Sequence, residues 1–412
     1  MRPKLRALKD DLKTDILIIG AGYCGLSAAL HLSEQGYHST VIDAHEPGWG
    51  ASGRNGGQVI PGLKVFPEEM KARFGNERGE RIATSVGATP DLVYDLIKRY
   101  KIDCDLVQTG WIQLAKGPVG RKTTDAHIDQ WRSRKVDVQE LSKADIQTKV
   151  GTNAYVSGLL DPRGGNLHPL KYARGLAHAC LSKGVSIHSD TPALSVERVN
   201  SHWLVKTAFA KITADTVIVC TNGYTGDMLP GLSNSIVPVL TGVVATEPLS
   251  DNQAKSILPK RQAAADTRRL LSWFGFDSKN RLLFGSRINF QKELIDTRNF
   301  QFGLQRMREI FPDVDNTKLS HMWTGRVALT LDHVPHIHKL ADGLFSGLGF
   351  NGRGVAMASL MGKILAGHAS GISNGDEFLP LTPMPKIPMS RFRNTGVAVA
   401  LTWKRFLDTA RP

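Results

Sequence analysis

Gly20, Gly22 and Gly25 fall in the order GxGxxG within Gly20-Ala21-Gly22-Tyr23-Cys24-Gly25. At this spacing the first glycine permits a tight turn and the second lets the backbone approach a pyrophosphate. The third lets a helix pack closely on a strand. A helix that starts here offers unpaired N–H groups and the positive end of its dipole to phosphate oxygens. Asp43 follows about twenty residues on, where a carboxylate accepts hydrogen bonds from both ribose hydroxyls of a dinucleotide. The chemistry of this set is binding, of the ADP half of either FAD or NAD.

A second set lies in Gly50-Ala51-Ser52-Gly53-Arg54-Asn55-Gly56-Gly57-Gln58. Its glycines let backbone amides reach a cofactor, while Ser52, Arg54 and Asn55 supply side-chain donors. Such a loop favours an extended cofactor that needs more than one phosphate turn.

Regular elements must hold these sets in place. Residues 15–19 are a continuous apolar run, which suits a strand buried on both faces of a parallel sheet. Leu26, Ala29, Leu30 and Leu32 then recur at helical spacing up to Gly36, a good C-cap, and 39–43 reads as the next strand. This is one βαβ unit. Helical periodicity returns at 77–100, 169–183, 296–310 and 355–368. Strand-like segments are expected at 105–115, 185–188, 203–207, 216–220, 237–246, 270–276, 282–286 and 344–349. Helix-rich α/β segments thus open and close the chain, with strand-rich material between, so the expected domains are interleaved.

Composition narrows the classes. A chain of 412 residues favours two domains, and 41% hydrophobic with 22% charged residues is ordinary for a globular enzyme. The net charge of +14 comes from Lys and Arg spread along the chain, without a basic run interleaved with aromatics, so no nucleic-acid partner is expected. Cys24, Cys104, Cys180 and Cys220 form no CxxC. That argues against a disulfide framework or a cysteine zinc site and fits a reducing, cytoplasmic setting. No apolar leader precedes the first strand, and no window approaches about 18 apolar residues. HExxH, GxSxG and P-loop motifs are absent, which sets aside the commonest hydrolase and kinase readings, and no metal is expected.

The later motifs are Asp161-Pro162-Arg163-Gly164-Gly165-Asn166-Leu167-His168-Pro169, Val219-Cys220-Thr221-Asn222-Gly223-Tyr224, Trp323-Thr324-Gly325-Arg326 and Gly349-Phe350-Asn351-Gly352-Arg353-Gly354. Together with the two glycine sets, their order resembles the D-amino-acid-oxidase-like FAD-dependent oxidoreductases, most of all the gamma-glutamylputrescine oxidase branch. The resemblance spans 15–370, and the ASGRNGGQ segment is its most specific part.

The resemblance implies an α/β (α+β overall) fold: a glutathione-reductase-type FAD-binding domain with a parallel sheet, and a substrate domain with a large antiparallel sheet. It divides the chain into 15–90, 151–225 and 320–372 for FAD, 91–150 and 226–319 for substrate, and a C-terminal extension, 373–412. FAD would lie extended between the two. Gly20, Gly22, Tyr23, Cys24, Gly25 and Asp43 would take its ADP half, and Ala51, Ser52, Arg54, Asn55, Gly56, Gly57 and Gln58 would lie near pyrophosphate and flavin. Ala193, Thr221, Asn222, Gly223 and Gly325 complete the expected contacts, with Gly349, Asn351, Gly352, Arg353, Gly354 and Val355 at the flavin ring. A second helix N-terminus after Gly352 and Gly354 would place N–H groups against the N1–C2=O edge, where reduced flavin carries negative charge, and Arg353 would add a positive charge.

Some relatives attach flavin through a cysteine at the position of His321, so the expected FAD is non-covalent. Sarcosine-oxidase-type relatives carry one lysine where Ala356 stands and another near Leu283. Both departures speak against a small N-methyl amino acid substrate. The second also leaves the acceptor open between oxygen and another oxidant. Arg54, Asn55, His168 and Arg326 are the expected catalytic residues. The expected function is oxidation of the CH–NH bond of an amine or amino acid by hydride transfer to flavin N5, followed by imine hydrolysis. A gamma-glutamylated polyamine is a candidate substrate. The alternatives are an amino-acid dehydrogenase, an NAD-linked enzyme, and a flavin domain acting on tRNA.

Overall fold

A computed structural model of the chain describes residues 1–288, 297–314, 317–372 and 379–384. The strand Leu12–Ile19 crosses the middle of an eight-stranded sheet. Successive side chains of a strand face opposite ways. Ile16 and Ile18 therefore join the core shared with helices Tyr23–Glu34 and Gly354–Ala369, and Leu17 and Ile19 join the core on the other face with Trp203 and Val217. Burial on both faces is the physical basis of the unbroken apolar run.

Along this sheet the order is His336–Ala341, Leu344–Leu348, Lys211–Val219, Leu12–Ile19, Ser39–Ile42, Ser186–His188. All neighbours but the first pair are parallel, as expected. The strands Ser195–Val199 and His202–Lys206 extend one side as an antiparallel meander. Two helices that cover the sheet meet backbone to backbone: a Cβ on Gly362 would lie 2.3 Å from the Cys24 carbonyl oxygen and 2.7 Å from the Ala28 nitrogen.

A second eight-stranded sheet has the order Leu319–Leu329, Val237–Thr246, Leu282–Arg287, Trp273–Phe276, Ala263–Asp266, Trp111–Ala115, Ser157–Asp161, Gln139–Leu141. Every neighbouring pair is antiparallel except Ala263–Asp266 with Trp111–Ala115. Two strands depart from the division read in the sequence. Ser157–Asp161 and Leu319–Leu329 fall in segments assigned to FAD, yet both hydrogen-bond within the antiparallel sheet. A strand's own pattern does not name its partner.

Other departures are local. The helix expected over 77–100 is two, Asn76–Gly87 and Thr89–Arg99. Pro90 has no N–H to give the Val86 carbonyl, which instead accepts from Gly62 N–H at 2.9 Å and Thr89 Oγ1 at 2.8 Å. The strand expected at 105–115 is only Trp111–Ala115, because Asp105 and Gly110 have φ of 51° and 94°. The strand expected at 270–276 is Trp273–Phe276. Helix Gly117–Arg132 went unread because its buried face, Gly120, Thr124, His127, Ile128 and Trp131, is mostly small or polar. Of the expected C-terminal extension only 379–384 is described in full. There Thr382 N–H donates to the Ile337 carbonyl at 2.8 Å.

Candidate active site

The GxGxxG turn is built as its spacing requires. Gly20 has φ 114°, and a Cβ there would sit 2.9 Å from the Cys220 carbonyl oxygen. A Cβ on Gly22 would meet Ser52 Oγ at 2.9 Å, and one on Gly25 the Gly20 oxygen at 1.9 Å. Ser52 Oγ accepts from Tyr23 N–H at 3.0 Å, tying the second loop to the first helical turn. Asp43 Oδ2 accepts from Ala21 N–H at 2.7 Å and Oδ1 from His45 N–H at 2.8 Å. Burial pushes the Asp43 pKa up, and these two donors pull against it. Each oxygen keeps a further lone pair for a hydroxyl donor.

In the second loop the donors act differently from expectation. Asn55 Nδ2 donates to the Ala51 and Ser52 carbonyls, both at 3.0 Å, and Oδ1 accepts from Gly57 N–H at 2.8 Å. Asn55 thus shapes the loop with these bonds while it borders the cavity. Gln58 Nε2 donates to the Ala264 carbonyl at 2.9 Å and Oε1 accepts from Trp111 Nε1 at 3.0 Å, fastening the loop to the antiparallel sheet. Arg54 donates to the carbonyls of Trp49 (2.7 Å) and Thr324 (3.2 Å), with its guanidinium 4.6 Å from the Trp49 ring centroid.

The closing turn is clamped by two asparagines in the left-handed region, Asn222 at φ 45° and Asn351 at φ 52°. Gly349 N–H donates to Asn222 Oδ1 at 2.9 Å. Asn351 Oδ1 accepts from Thr330 N–H at 3.0 Å, and its Nδ2 donates to the Gly349 carbonyl at 2.6 Å. Helix Gly354–Ala369 starts directly after. Arg353, the residue before it, donates to the Pro61 carbonyl at 3.1 Å.

These pieces border one cavity of about 1080 Å³. That exceeds the usual small-ligand range of about 300–1,000 Å³ and leaves room for an extended dinucleotide with a substrate beside it. Gly20, Gly22, Tyr23, Cys24, Asp43, Ala51, Ser52, Arg54, Asn55, Gly56, Gln58, Ala193, Thr221, Asn222, Arg326, Asn351, Gly352, Arg353, Gly354 and Val355 all line it. Gly25, Gly57, Gly223, Gly325 and Gly349 do not; they permit close packing behind the wall, as where a Cβ on Gly57 would lie 1.8 Å from the Leu167 oxygen. His168 also lies outside. Its Nδ1 accepts from Lys171 N–H at 3.4 Å and caps helix Pro169–Ser182, so the structure places it at a helix end and not on the cavity wall.

The far wall was missed in the sequence. Trp111, Gln113 and Trp273 line it from the antiparallel sheet, with the ion pair of Arg268 and Asp266 at 2.6 Å. Burial raises the Asp266 pKa while the Arg268 charge opposes it. One signal existed. Trp273 faces Gly285 across the ladder, and a Cβ on Gly285 would lie 1.8 Å from the indole, so the glycine makes room for a large ring. His321 is exposed, bonded to Ser320 Oγ at 3.0 Å, and outside the cavity. The family position of the cofactor link therefore holds neither a cysteine nor a cavity-facing residue.

The fold and this cavity define a flavoenzyme of the two-sheet type. The model of the family "FAD dependent oxidoreductase" matches residues 15–368, and the chain belongs to that family. Its cofactor is FAD, and it is an oxidoreductase. It is 32% identical to "Probable oxidoreductase OrdL" of Haemophilus influenzae, over 96% of this chain and 92% of that one. It is 30% identical to "Gamma-glutamylputrescine oxidoreductase" of Escherichia coli, over 95% and 91%. Among solved structures, glycine oxidase from Geobacillus kaustophilus superposes with TM-score 0.75 at 20% identity, covering 91% of this chain and 99% of that one. Among the described residues no helix is long and apolar enough to cross a membrane.

Proposed function

We propose that the chain oxidises the CH–NH bond of an amine or amino acid, with a gamma-glutamylated polyamine as a candidate substrate. The observation that carries this reading is the single cavity. It runs from a phosphate-binding turn to an aromatic wall in the other sheet, with no hydrolytic or metal-ligating set among the described residues. The E. coli relative, gamma-glutamylputrescine oxidoreductase, supports the amine class.

Bound FAD supplies a hydride acceptor, and water hydrolyses the imine product. The chain's own residues do the rest. The N–H groups opening helix Tyr23–Glu34 would hold the pyrophosphate, and the Asp43 carboxylate would accept from the ribose hydroxyls. The N-terminus of Gly354–Ala369 would present N–H groups to the flavin ring. Trp111 and Trp273 exclude water from the reacting carbon, while Arg54 and Arg326 bound the space in which the substrate is oriented. No general base is required when the amine arrives neutral.

The test is an anaerobic panel of amines, amino acids and hydroxy acids added to the yellow protein. Bleaching of the flavin band by an amine is expected; bleaching by a hydroxy acid alone, or by none of the panel, overturns the reading. Leu283 stands near the position where sarcosine-oxidase-type relatives carry an oxygen-activating lysine, so the acceptor is proposed to be other than oxygen. Slow recovery of colour in air is expected, and recovery as fast as reduction would refute this.

A further inference from the structure

Two of the four cysteines meet at the glycine-turn end of the cavity. Strands Leu12–Ile19 and Lys211–Val219 run parallel with Ile19 opposite Val219, so Gly20 and Cys220 leave the sheet side by side. Cys220 N–H donates to the Ile19 carbonyl at 2.8 Å, and the Cys220 carbonyl oxygen is the atom that a Cβ on Gly20 would meet. Cys24 lies in the first turn of helix Tyr23–Glu34, just past the same glycine turn. Cys24 and Cys220 belong to one buried cluster, and both border the cavity. Their thiols face each other. The Cys24 thiol donates toward the Cys220 sulfur, and this contact, with burial added, pushes the Cys24 pKa well above the ordinary thiol range.

The other two cysteines differ. Cys180 is fully buried and donates to the Leu26 carbonyl at 3.3 Å. Cys104 is buried between Asp103 and Asp105, and its pKa is pushed up to about 12, chiefly by burial. Neither borders the cavity. A thiol reacts as its thiolate, and only where an oxidant reaches it. Cys24 and Cys220 are reached from the cavity, so bound FAD would cover them and its departure would open them. Cys24 holds its proton toward Cys220, which makes Cys220 the sulfur that attacks an oxidant and Cys24 the sulfur that resolves the product.

We propose that Cys24 and Cys220 form a reversible disulfide in the FAD-free protein, which keeps the cofactor out until a thiol reduces it. The oxidant is a peroxide. The Cys220 thiolate attacks one oxygen of hydrogen peroxide, the O–O bond breaks, and hydroxide leaves a sulfenic acid on Cys220. The Cys24 sulfur then attacks the sulfenic sulfur, gives up its proton, and water leaves. Two thiols lose two electrons, and the peroxide takes both. The new bond, about 2 Å long, draws the Cys220 peptide and the first helical turn together and distorts the Gly20–Gly25 turn between them. FAD binding alone is needed for this, not the substrate proposed above.

Full-length apoprotein and FAD-loaded protein are treated with hydrogen peroxide. Free thiols, intact mass and peptide cross-links are measured, and FAD is then titrated into the apoprotein by fluorescence quenching. The apoprotein is expected to pass from four free thiols to two, with a Cys24–Cys220 link and the mass of two hydrogens lost. Its FAD affinity is expected to fall about five- to hundredfold, the range for a strained site, and to recover with dithiothreitol. The FAD-loaded protein is expected to keep all four thiols. Cys220→Ala is expected to hold its own untreated FAD affinity within about twofold, and Cys24→Ala to stop at a dimedone-reactive sulfenic acid. Four thiols left in the treated apoprotein, or a link through Cys104 or Cys180, would overturn the proposal. So would equal oxidation of the FAD-loaded protein, or a Cys24–Cys220 link that leaves FAD affinity unchanged.

Discussion

Gly56 offers the sharpest test of how the two sheets share the cavity. A Cβ at Gly56 would lie 2.2 Å from Trp273 Cζ3 and 2.6 Å from Cε3 and Cη2. Ordinary contact begins at 3.4 Å, so Gly56→Ala demands a retreat of 3.4 − 2.2 = 1.2 Å by the indole or the loop. The ring's other side already lies over Gly285, where a Cβ would be 1.8 Å from Cε2. Trp273 therefore has little room to yield, and the loop that carries Ser52 and Arg54 must move. Overpacking of this kind costs about 1–3 kcal/mol. If that strain falls on the FAD-binding form, affinity for FAD drops about five- to hundredfold at roughly 1.4 kcal/mol per decade. Titration of the apoprotein by quenching of FAD fluorescence measures it. Trp273→Leu, which removes the obstructing ring, is expected to restore most of the Gly56→Ala loss, a coupling of about 1–2 kcal/mol. Gly56→Ala binding FAD within twofold of wild type would refute the reasoning. A double variant as weak as the sum of its parts would refute it too.

Three further outcomes follow from the same geometry. Asp43→Ala removes the acceptor for two backbone N–H groups and for the ribose hydroxyls, so FAD affinity should fall about ten- to hundredfold while FMN, lacking the AMP unit and its ribose, binds as in wild type; equal losses for both would refute the assignment. Asn351→Gly keeps the left-handed turn and loses only side-chain bonds, whereas Asn351→Ala adds backbone strain at φ 52°, so urea unfolding should rank wild type above Gly above Ala, with about 1 kcal/mol between the last two. Buried His127 has its pKa lowered from 6.5 to about 3, chiefly by burial. The native state then binds fewer protons than the unfolded one, and stability is lost as pH falls from about 6.5 toward 3. The His127 share of that loss should be about 2 kcal/mol between pH 7 and 5, so urea melts at each pH should show His127→Gln losing about 2 kcal/mol less than wild type over that range.

What the sequence disclosed depended on how local each interaction is. The Gly20–Gly25 turn, its flanking strands and Asp43 interact within about thirty residues, and each requirement leaves a residue-type mark: an apolar run, a glycine, a carboxylate. The closing turn was legible for the same reason. Side chains such as Asn55 and Gln58 were not, because an amide that could face a cofactor looks the same as one that holds its own loop. Gln58 reaches Ala264 and Trp111, partners set by tertiary pairing. His168 illustrates the same limit, since its ring caps the helix that Pro169 begins.

The antiparallel wall was hidden by a stronger effect. Leu319–Leu329 pairs with Val237–Thr246, and Trp111–Ala115 with both Ser157–Asp161 and Ala263–Asp266, at separations no local pattern encodes. Those pairings place Trp111 beside Arg353 and bring Thr324 within 3.2 Å of Arg54. The far wall of the cavity therefore exists only where the two sheets meet. Arg54, Gln58 and Asn351 each bond from a cofactor loop to a strand of the other sheet or to the segment that follows it. A change in any of these three should alter FAD affinity and substrate selectivity together, whereas a change at Gly20 or Asp43, confined to the first sheet, should alter FAD affinity alone.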